Sequence, residues 1–337
     1  MNPPPDPDGL TAIVEDTFAE AFPMTAARAI ITAATAAWAE IAGQTLTGYA
    51  TSVIACDAEA AIERRLSPDE TPDGRPGVSV LVFAFSRDAL EKALANRVGQ
   101  CVMTCPTTAC YNGLPVGEKA INVGGTLRYF GDGWQISKRL EGRRYWRIPV
   151  LDGEFTCEET FGTVKGVAGG NIIVLGTDPG VTLAATEAAV VAMRALPDLI
   201  LPFPGGIARS GSKVGSKYKK LRASTNTAYA PTLRGLVESA LPAGVTCAYE
   251  IVIDGLTLDA VERATAVGLR AAHRPGIVRL SAGNYGGKLG PFHIRLPDVL
   301  LRYGSGSNNL APRCEDHVES ELHSPGSPPC SRPSSAD

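Results

Sequence analysis

Val78–Val98 reads VSVLVFAFSRDALEKALANRV. The run Val78–Phe85 is continuously apolar apart from Ser79 and rich in β-branched residues, which predicts a buried strand. Ser86 then suits a helix N-cap, and Asp88 and Glu91 fall near the positive end of a helix over Arg87–Val98. A further strand is expected at Cys101–Cys105. Upstream, Arg28–Thr32 (RAIIT) reads as a short strand and Ala33–Thr45 as a helix, with Trp38 and Ile41 at helical spacing. Tyr49–Ile54 is expected as a second strand, Asp57–Arg65 as a helical turn, and Ser67–Gly77 (SPDETPDGRPG) as a loop by its Pro, Asp and Gly content. The order β-α-β-β-α-β is that of the ferredoxin-like unit.

The pattern then returns. Thr246–Ile253, Asp259–His273 and Ile277–Ala282 echo the strand, helix and strand just described, and Asp88-Ala-Leu-Glu-Lys-Ala parallels Asp259-Ala-Val-Glu-Arg-Ala. Arg28-Ala-Ile-Ile aligns with Asn171-Ile-Ile-Val, Glu15-Asp-Thr-Phe with Glu158-Glu-Thr-Phe, and Leu183–Leu196 stands as the second first-helix. The expected fold is therefore α+β: two ferredoxin-like lobes from an internal repeat, residues 11–149 and 150–303, with inserted β hairpins. Residues 1–10 and 304–337 lack apolar periodicity and are expected to be disordered. Between the lobes, Phe130-Gly-Asp-Gly-Trp134 suggests a hairpin turn, and Lys138–Arg147 (KRLEGRRYWR) an exposed strand pair.

The two copies differ most where their middle strands connect. In the second, Pro202–Arg234 (PFPGGIARSGSKVGSKYKKLRASTNTAYAPTLR) carries seven Lys and Arg, and no Asp or Glu lies between Asp198 and Glu238. The counterpart around Asp57–Gly77 is acidic. Glycines let backbone N–H groups approach a bound group closely, and Ser210, Ser212 and Ser216 add hydroxyls, so the stretch suits an anionic ligand. A P-loop is excluded because Lys217 follows Ser216 and precedes Tyr218, and no G-x-G-x-x-G opens a helix after a strand.

The 337 residues are 44% hydrophobic and 20% charged, with a formal net charge of −3, which fits a globular protein able to bury a large core. MNPPPDPDGL has neither the basic nor the apolar region of a signal peptide, and no apolar run is long enough to span a bilayer, so a cytoplasmic protein is expected. The eight cysteines fit free thiols; the C-x3-C-x4-C spacing of Cys101, Cys105 and Cys110 matches neither zinc nor cluster motifs. With four scattered histidines, a metal site or Ser-His-Asp triad is not expected. Paired RNA-binding modules would need exposed aromatics on central strands, where only Phe83 and Phe85 are available, and no nucleic-acid partner is expected.

EDTFAEAF, LSPDETPDGRPGVSVL, NRVGQCVMTCPTTACYNGLP, PFPGGIARSGSKVGSKY and KKLRASTNTAYAPTLR together resemble the formylmethanofuran–tetrahydromethanopterin formyltransferase family, over roughly Val14–Tyr303. The resemblance implies transfer of a formyl group between the amine of methanofuran and N5 of tetrahydromethanopterin. It implies no metal and no prosthetic group, since both coenzymes are substrates that carry the one-carbon unit. It further implies two ferredoxin-like lobes and either a homotetramer or a complex with formylmethanofuran hydrolase subunits. The charge balance is less acidic than in salt-adapted archaeal members, which points to formaldehyde oxidation to formate in a methylotroph. The alternative is a non-catalytic scaffold subunit of such a complex.

Formyl transfer between nitrogens passes through an oxyanion that needs preorganised donors, and a proton must move from the attacking to the departing amine. Val245–Ile253 (VTCAYEIVI) alternates so that Glu250 shares a face with Ala248 and Val252. A carboxyl among apolar neighbours holds its proton and can donate to an oxyanion; the resemblance places Glu250 in the family's YEIVIDG context, beside the formyl oxygen. Lys213, Lys217 and Tyr218 are the expected anchors for coenzyme acids, with Ser212 and the Gly211 backbone as polar contacts. The turn CPTTACYN offers Thr107, Thr108 and Asn112 as further contacts, unless it satisfies only its own backbone. Ser281–Gly287 is its second-lobe equivalent.

Overall fold

The computed structural model describes residues 12–304. The N-terminal residues and the tail from 305 lie outside the described residues. The first unit runs β1 (Phe18–Thr32), α1 (Ala36–Thr47), β2 (Glu59–Leu66), β3 (Gly77–Ala84), α2 (Arg87–Arg97) and β4 (Ala109–Asn112). A meander of β5 (Ile136–Leu140), β6 (Arg143–Val150) and β7 (Gly153–Glu158) follows. The second unit runs β8 (Val164–Gly176), α3 (Pro179–Arg194), β9 (Leu199–Ile200), then β12 (Cys247–Gly255), α4 (Leu258–Ala272) and β13 (Ile277–Ser281); the small ribbon β10 (Ser212–Val214) and β11 (Ala223–Thr225) interrupts it. A last strand, β14 (Phe292–Arg295), leads into α5 (Leu296–Arg302).

Both units pair their strands alike. β1 lies between β3 and β4, and β2 pairs the outer side of β3, all antiparallel. β8 likewise lies between β12 and β13, with β9 on the outer side of β12. The halves fuse because β1 is long: Phe22–Ala26 pairs antiparallel with Val164–Ala168 of β8. The fold is thus a mixed α+β structure on one continuous sheet.

The repeat is also visible in the helix caps. Ser86 Oγ accepts from the Ala89 N–H over 3.2 Å and Thr257 Oγ1 from the Ala260 N–H over 3.1 Å, with Asp88 and Asp259 each in the first turn. Such a cap stabilises a helix by about 1 kcal/mol. Behind the caps, Leu90 and Leu94 of α2 bury against Val80 and Val82 of β3. Val261 and Leu269 of α4 do the same against Ile251 and Ile253 of β12. Truncating Leu94 to Ala would cost ~2–5 kcal/mol.

Four expected elements are placed differently, among them the helical turn expected over Asp57–Arg65, which is mostly strand. The second strand is Glu59–Leu66 and not Tyr49–Ile54; Tyr49 sits at φ +64°, in a turn. The charges in EAAIERRL suggest a solvated helical face, yet Glu59 is only 4% exposed and the Glu63 side chain 3%, because both turn toward the second unit. Cys101–Cys105 is not a strand: α2 continues through a wide turn over Val98–Val102, closed by Met103 N–H donating to Val98 O over 2.9 Å. Phe130 and Gly131 end a 3-10 turn over Arg128–Gly131, whereas the hairpin turn is Glu141-Gly142, both at positive φ, between β5 and β6. The six described cysteines are free thiols. No described helix is long and apolar enough to cross a membrane.

Candidate active site

β12 presents two different faces. Ile251 and Ile253 are fully buried in the second unit's core, while Glu250 and Val252 border a cavity of about 290 Å3. Phe22, Val53, Ile54, Phe85, Phe203 and Leu289 make that cavity largely apolar, and Ser212, Asn171 and Tyr285 give it polar points. Glu250 also borders a second cavity of about 340 Å3, lined by Arg209, Ser210, Gly211, Asn226, Tyr229 and Tyr249 among others. Glu250 therefore borders both an apolar chamber and a more polar one.

Glu250 is held at its backbone and at its side chain. Its N–H and C=O bridge to Ala208, with Ala208 N–H donating over 2.7 Å, which brings the basic segment onto the edge of β12. Asn171 Nδ2 donates to Oε1 over 3.3 Å. Burial without a cation partner raises its pKa from the ordinary 4.5 to about 7. Close to neutrality the group is thus an available proton donor.

The basic segment reaches the site through β10. Ser212 borders the first cavity and Gly211 the second, with Gly211 at φ +52°. Lys213 is half-buried, and its Nζ donates to Thr227 Oγ1 over 3.1 Å. Lys217 and Tyr218 lie exposed in a shallow depression that they share with Lys213, Leu221 and Ser224.

Thr107, Thr108 and Asn112 are placed apart, since none of them lines either cavity beside Glu250. Thr108 Oγ1 donates to the Val102 and Cys105 carbonyls, and the Asn112 side chain pairs with Leu114 and Gly162. Thr107, at φ +65°, donates its N–H to Asp152 and accepts the Ala34 N–H. The polar groups of this turn are thus engaged within the turn and by Ala34, Asp152, Leu114 and Gly162.

Three residues of the site were not singled out from the sequence: Asn171, described above, Tyr285 and Glu20. Tyr285 donates from its hydroxyl to Ser212 O over 3.2 Å, and burial and the nearby Glu250 and Glu20 raise its pKa. Glu20 is 1% exposed and accepts the N–H groups of Tyr285 and Leu289, so it fixes the loop that carries the tyrosine. The expected equivalence of Ser281–Gly287 to a binding turn was the signal for Tyr285; a strand glutamate 265 positions upstream gave none. Among the described residues no group of three or more His, Cys, Asp or Glu comes together as a metal site.

Comparison with known proteins gives the class first: residues 10–150 match the family model described as formylmethanofuran-tetrahydromethanopterin formyltransferase, and residues 153–299 match that of its proximal lobe. The formylmethanofuran–tetrahydromethanopterin formyltransferase of Methylococcus capsulatus is 56% identical, over 85% of this chain and 97% of its own. A crystal structure of the formyltransferase/hydrolase complex from Methylorubrum extorquens with methylofuran contains a chain 52% identical, with TM-score 0.83 over 87% of this chain and 97% of that one. The formyltransferase structure from Methanosarcina barkeri is 48% identical, with TM-score 0.81 over 86% and 98%. The chain belongs to the formylmethanofuran–tetrahydromethanopterin formyltransferase family.

Proposed function

We propose that this protein transfers a formyl group between methanofuran and N5 of tetrahydromethanopterin, with Glu250 as the acid at the reacting centre. The observation that supports this most is the position of Glu250 between two cavities of unlike character. A reaction that joins two coenzymes at one carbonyl needs such a position. In one direction, N5 of tetrahydromethanopterin attacks the formyl carbon of formylmethanofuran and the C=O π pair moves to oxygen. The neutral Glu250 carboxyl donates a hydrogen bond to that oxyanion. The carbonyl re-forms as the C–N bond to methanofuran breaks, and the proton lost by the attacking nitrogen ends on the departing amine. Gly211, Ser212 and Lys213, with Lys217 and Tyr218 further out, fit the acidic groups of the coenzymes. Thr107, Thr108 and Asn112 fit a structural turn better.

The two β-α-β-β-α-β units, with their common strand order and caps, are read as duplicated ferredoxin-like lobes, divided near residue 150. The exposed Phe130 and Leu151, the latter fully exposed, border an apolar hollow of about 800 Å3. Such a patch suits assembly, either as a homotetramer or with hydrolase subunits. The likeness to a chain of a formyltransferase/hydrolase complex, 52% identical, fits the direction toward formate release. Steady-state formyl transfer by the purified chain, followed in both directions, tests the reading. Absence of transfer in both directions by the folded protein would favour the scaffold alternative.

A further inference from the structure

Glu59 and Asp254 come from different units and meet in the interior. Glu59 opens β2 at 4% exposure, and Asp254, near the end of β12, is fully buried. Each spends one carboxyl oxygen on a backbone N–H: Glu59 Oε1 accepts from Val53 over 3.0 Å and Asp254 Oδ1 from Gly169 over 3.1 Å. Their other oxygens, Glu59 Oε2 and Asp254 Oδ2, are buried without a donor among the described residues. The two side chains lie within hydrogen-bonding reach of each other.

Among the described residues no cation compensates them. The groups acting on Glu59 are Asp254 and the Val53 N–H, and those acting on Asp254 are Glu59 and the Gly169 N–H. The facing strand β3 contributes no ionisable side chain, and Lys165 of β8 is exposed. On α4, Glu262 is engaged by Arg302 and Tyr303, and Arg263 by Asp259. The other titratable groups bordering the adjoining cavity are Glu20, Glu250 and Tyr285. Two carboxylates so placed cannot both be ionised at tolerable cost, whereas one proton between them satisfies both orphaned oxygens.

The residues held by the pair define what it does. Val53 and Gly169 both line the cavity of about 290 Å3 beside Glu250, Val53 from the first unit and Gly169 from the second. We infer that Glu59 and Asp254 share a single proton, and that this bond clamps the Val53 wall of the cavity to the Gly169 wall. They are positioning residues: the proton sets the width of the chamber in which a coenzyme meets Glu250. The functional part of this inference rests on the formyltransferase reading; the clamp itself does not. Loss of the proton places two like charges together in a dry site, and the walls separate.

Glu59→Gln is the informative variant. Its Nε2–H donates to Asp254 as the shared proton does, its oxygen stays available to Val53, and the charge of the pair is unchanged. Glu59→Ala removes the donor and leaves Asp254 alone. The readout is hydrogen-exchange protection of the segments around Val53 and Gly169 across alkaline pH, together with the infrared stretch of protonated carboxyl groups. The wild type is expected to lose protection by up to roughly tenfold per pH unit above the titration of the pair. Glu59→Gln is expected to keep its protection there and to lose one protonated-carboxyl band, and folded Glu59→Ala is expected to be deprotected throughout. An alkaline loss in Glu59→Gln equal to that of the wild type would overturn the inference, as would two ionised carboxylates in the neutral wild-type protein. If Glu59→Ala does not fold, the Gln and wild-type profiles still decide. Formyl transfer is measured separately: a clamp that behaves as stated in a protein without transfer counts against the proposed activity and not against the pair.

Discussion

Asn171 bridges Glu250 and the loop that follows β13: its Nδ2 donates to Glu250 Oε1 over 3.3 Å, and its Oδ1 accepts the Gly283 N–H over 2.8 Å. The amide thus orients the carboxyl from one side and leaves Oε2 for a reacting group. A side chain at Gly283 would press on this amide, with a Cβ meeting Asn171 Nδ2 at 3.0 Å. Asn171→Ala should lower kcat by roughly 10–100-fold, the scale of a misplaced catalytic group, with the circular dichroism spectrum unchanged. An unaltered kcat would remove Asn171 from the mechanism.

The pKa of Glu250 sets the pH dependence. Burial raises it from 4.5 to about 7, so the donor form prevails below about 7 and is lost above. The kcat profile should therefore be flat on the acid side and fall above neutrality. Stability carries the same sign. The folded state binds the proton more tightly than the unfolded chain, so stability drains as pH rises from the ordinary glutamate range to about 7. At alkaline pH, Glu250→Gln should be more stable than the wild type by roughly 3 kcal/mol, read from denaturant unfolding.

Lys213 and Lys217 should separate by burial. Lys213 is half-buried and tied to Thr227, whereas Lys217 is exposed. Lys213→Ala should raise KM for one coenzyme about tenfold, with kcat little changed. Lys217→Ala should have a smaller effect that disappears in high salt, because exposed charges are screened beyond ~10 Å at 0.1 M. Equal, salt-independent effects would show that the ribbon does not distinguish the two lysines.

Arg28 joins the units. Its guanidinium pairs with Glu63 and, over 2.6 Å, with Asp198 of the second unit, and the Asp198 N–H donates back to Glu63 over 3.0 Å. The Glu63 side chain is 3% exposed, so Arg28→Met strands a buried carboxylate. A loss of ~3–5 kcal/mol is expected in chemical denaturation. Glu63→Gln with Arg28→Met should recover part of it.

The periodic parts of the fold were legible in the sequence. VSVLVFAF and the cap Ser86 announce strand and helix by local chemistry alone, and the repeated pattern around Asp259 announces two units. Glu250 was singled out by the alternation of its strand together with the family resemblance, and burial raises its pKa as apolar neighbours imply. Glu59–Leu66 was not legible, because its acidic residues are buried by partners, Asp254 and Arg28, that are distant in sequence. Asn171 and Glu20 were hidden because their partners, Glu250 and the Tyr285 and Leu289 N–H groups, are distant in sequence. Thr108 and Asn112 have the residue types of a binding turn, and only their hydrogen-bond partners show that they are already occupied.

The most direct test is the turnover number for formyl transfer in Glu250→Gln measured beside the wild type, both shown to be folded. A glutamine keeps the shape and the Asn171 contact but offers a weaker donor and no titration. The account predicts a kcat lower by roughly 100-fold or more, the scale of a lost oxyanion donor, and a profile without the fall above neutrality. Near-wild-type turnover with an unchanged pH profile would contradict it.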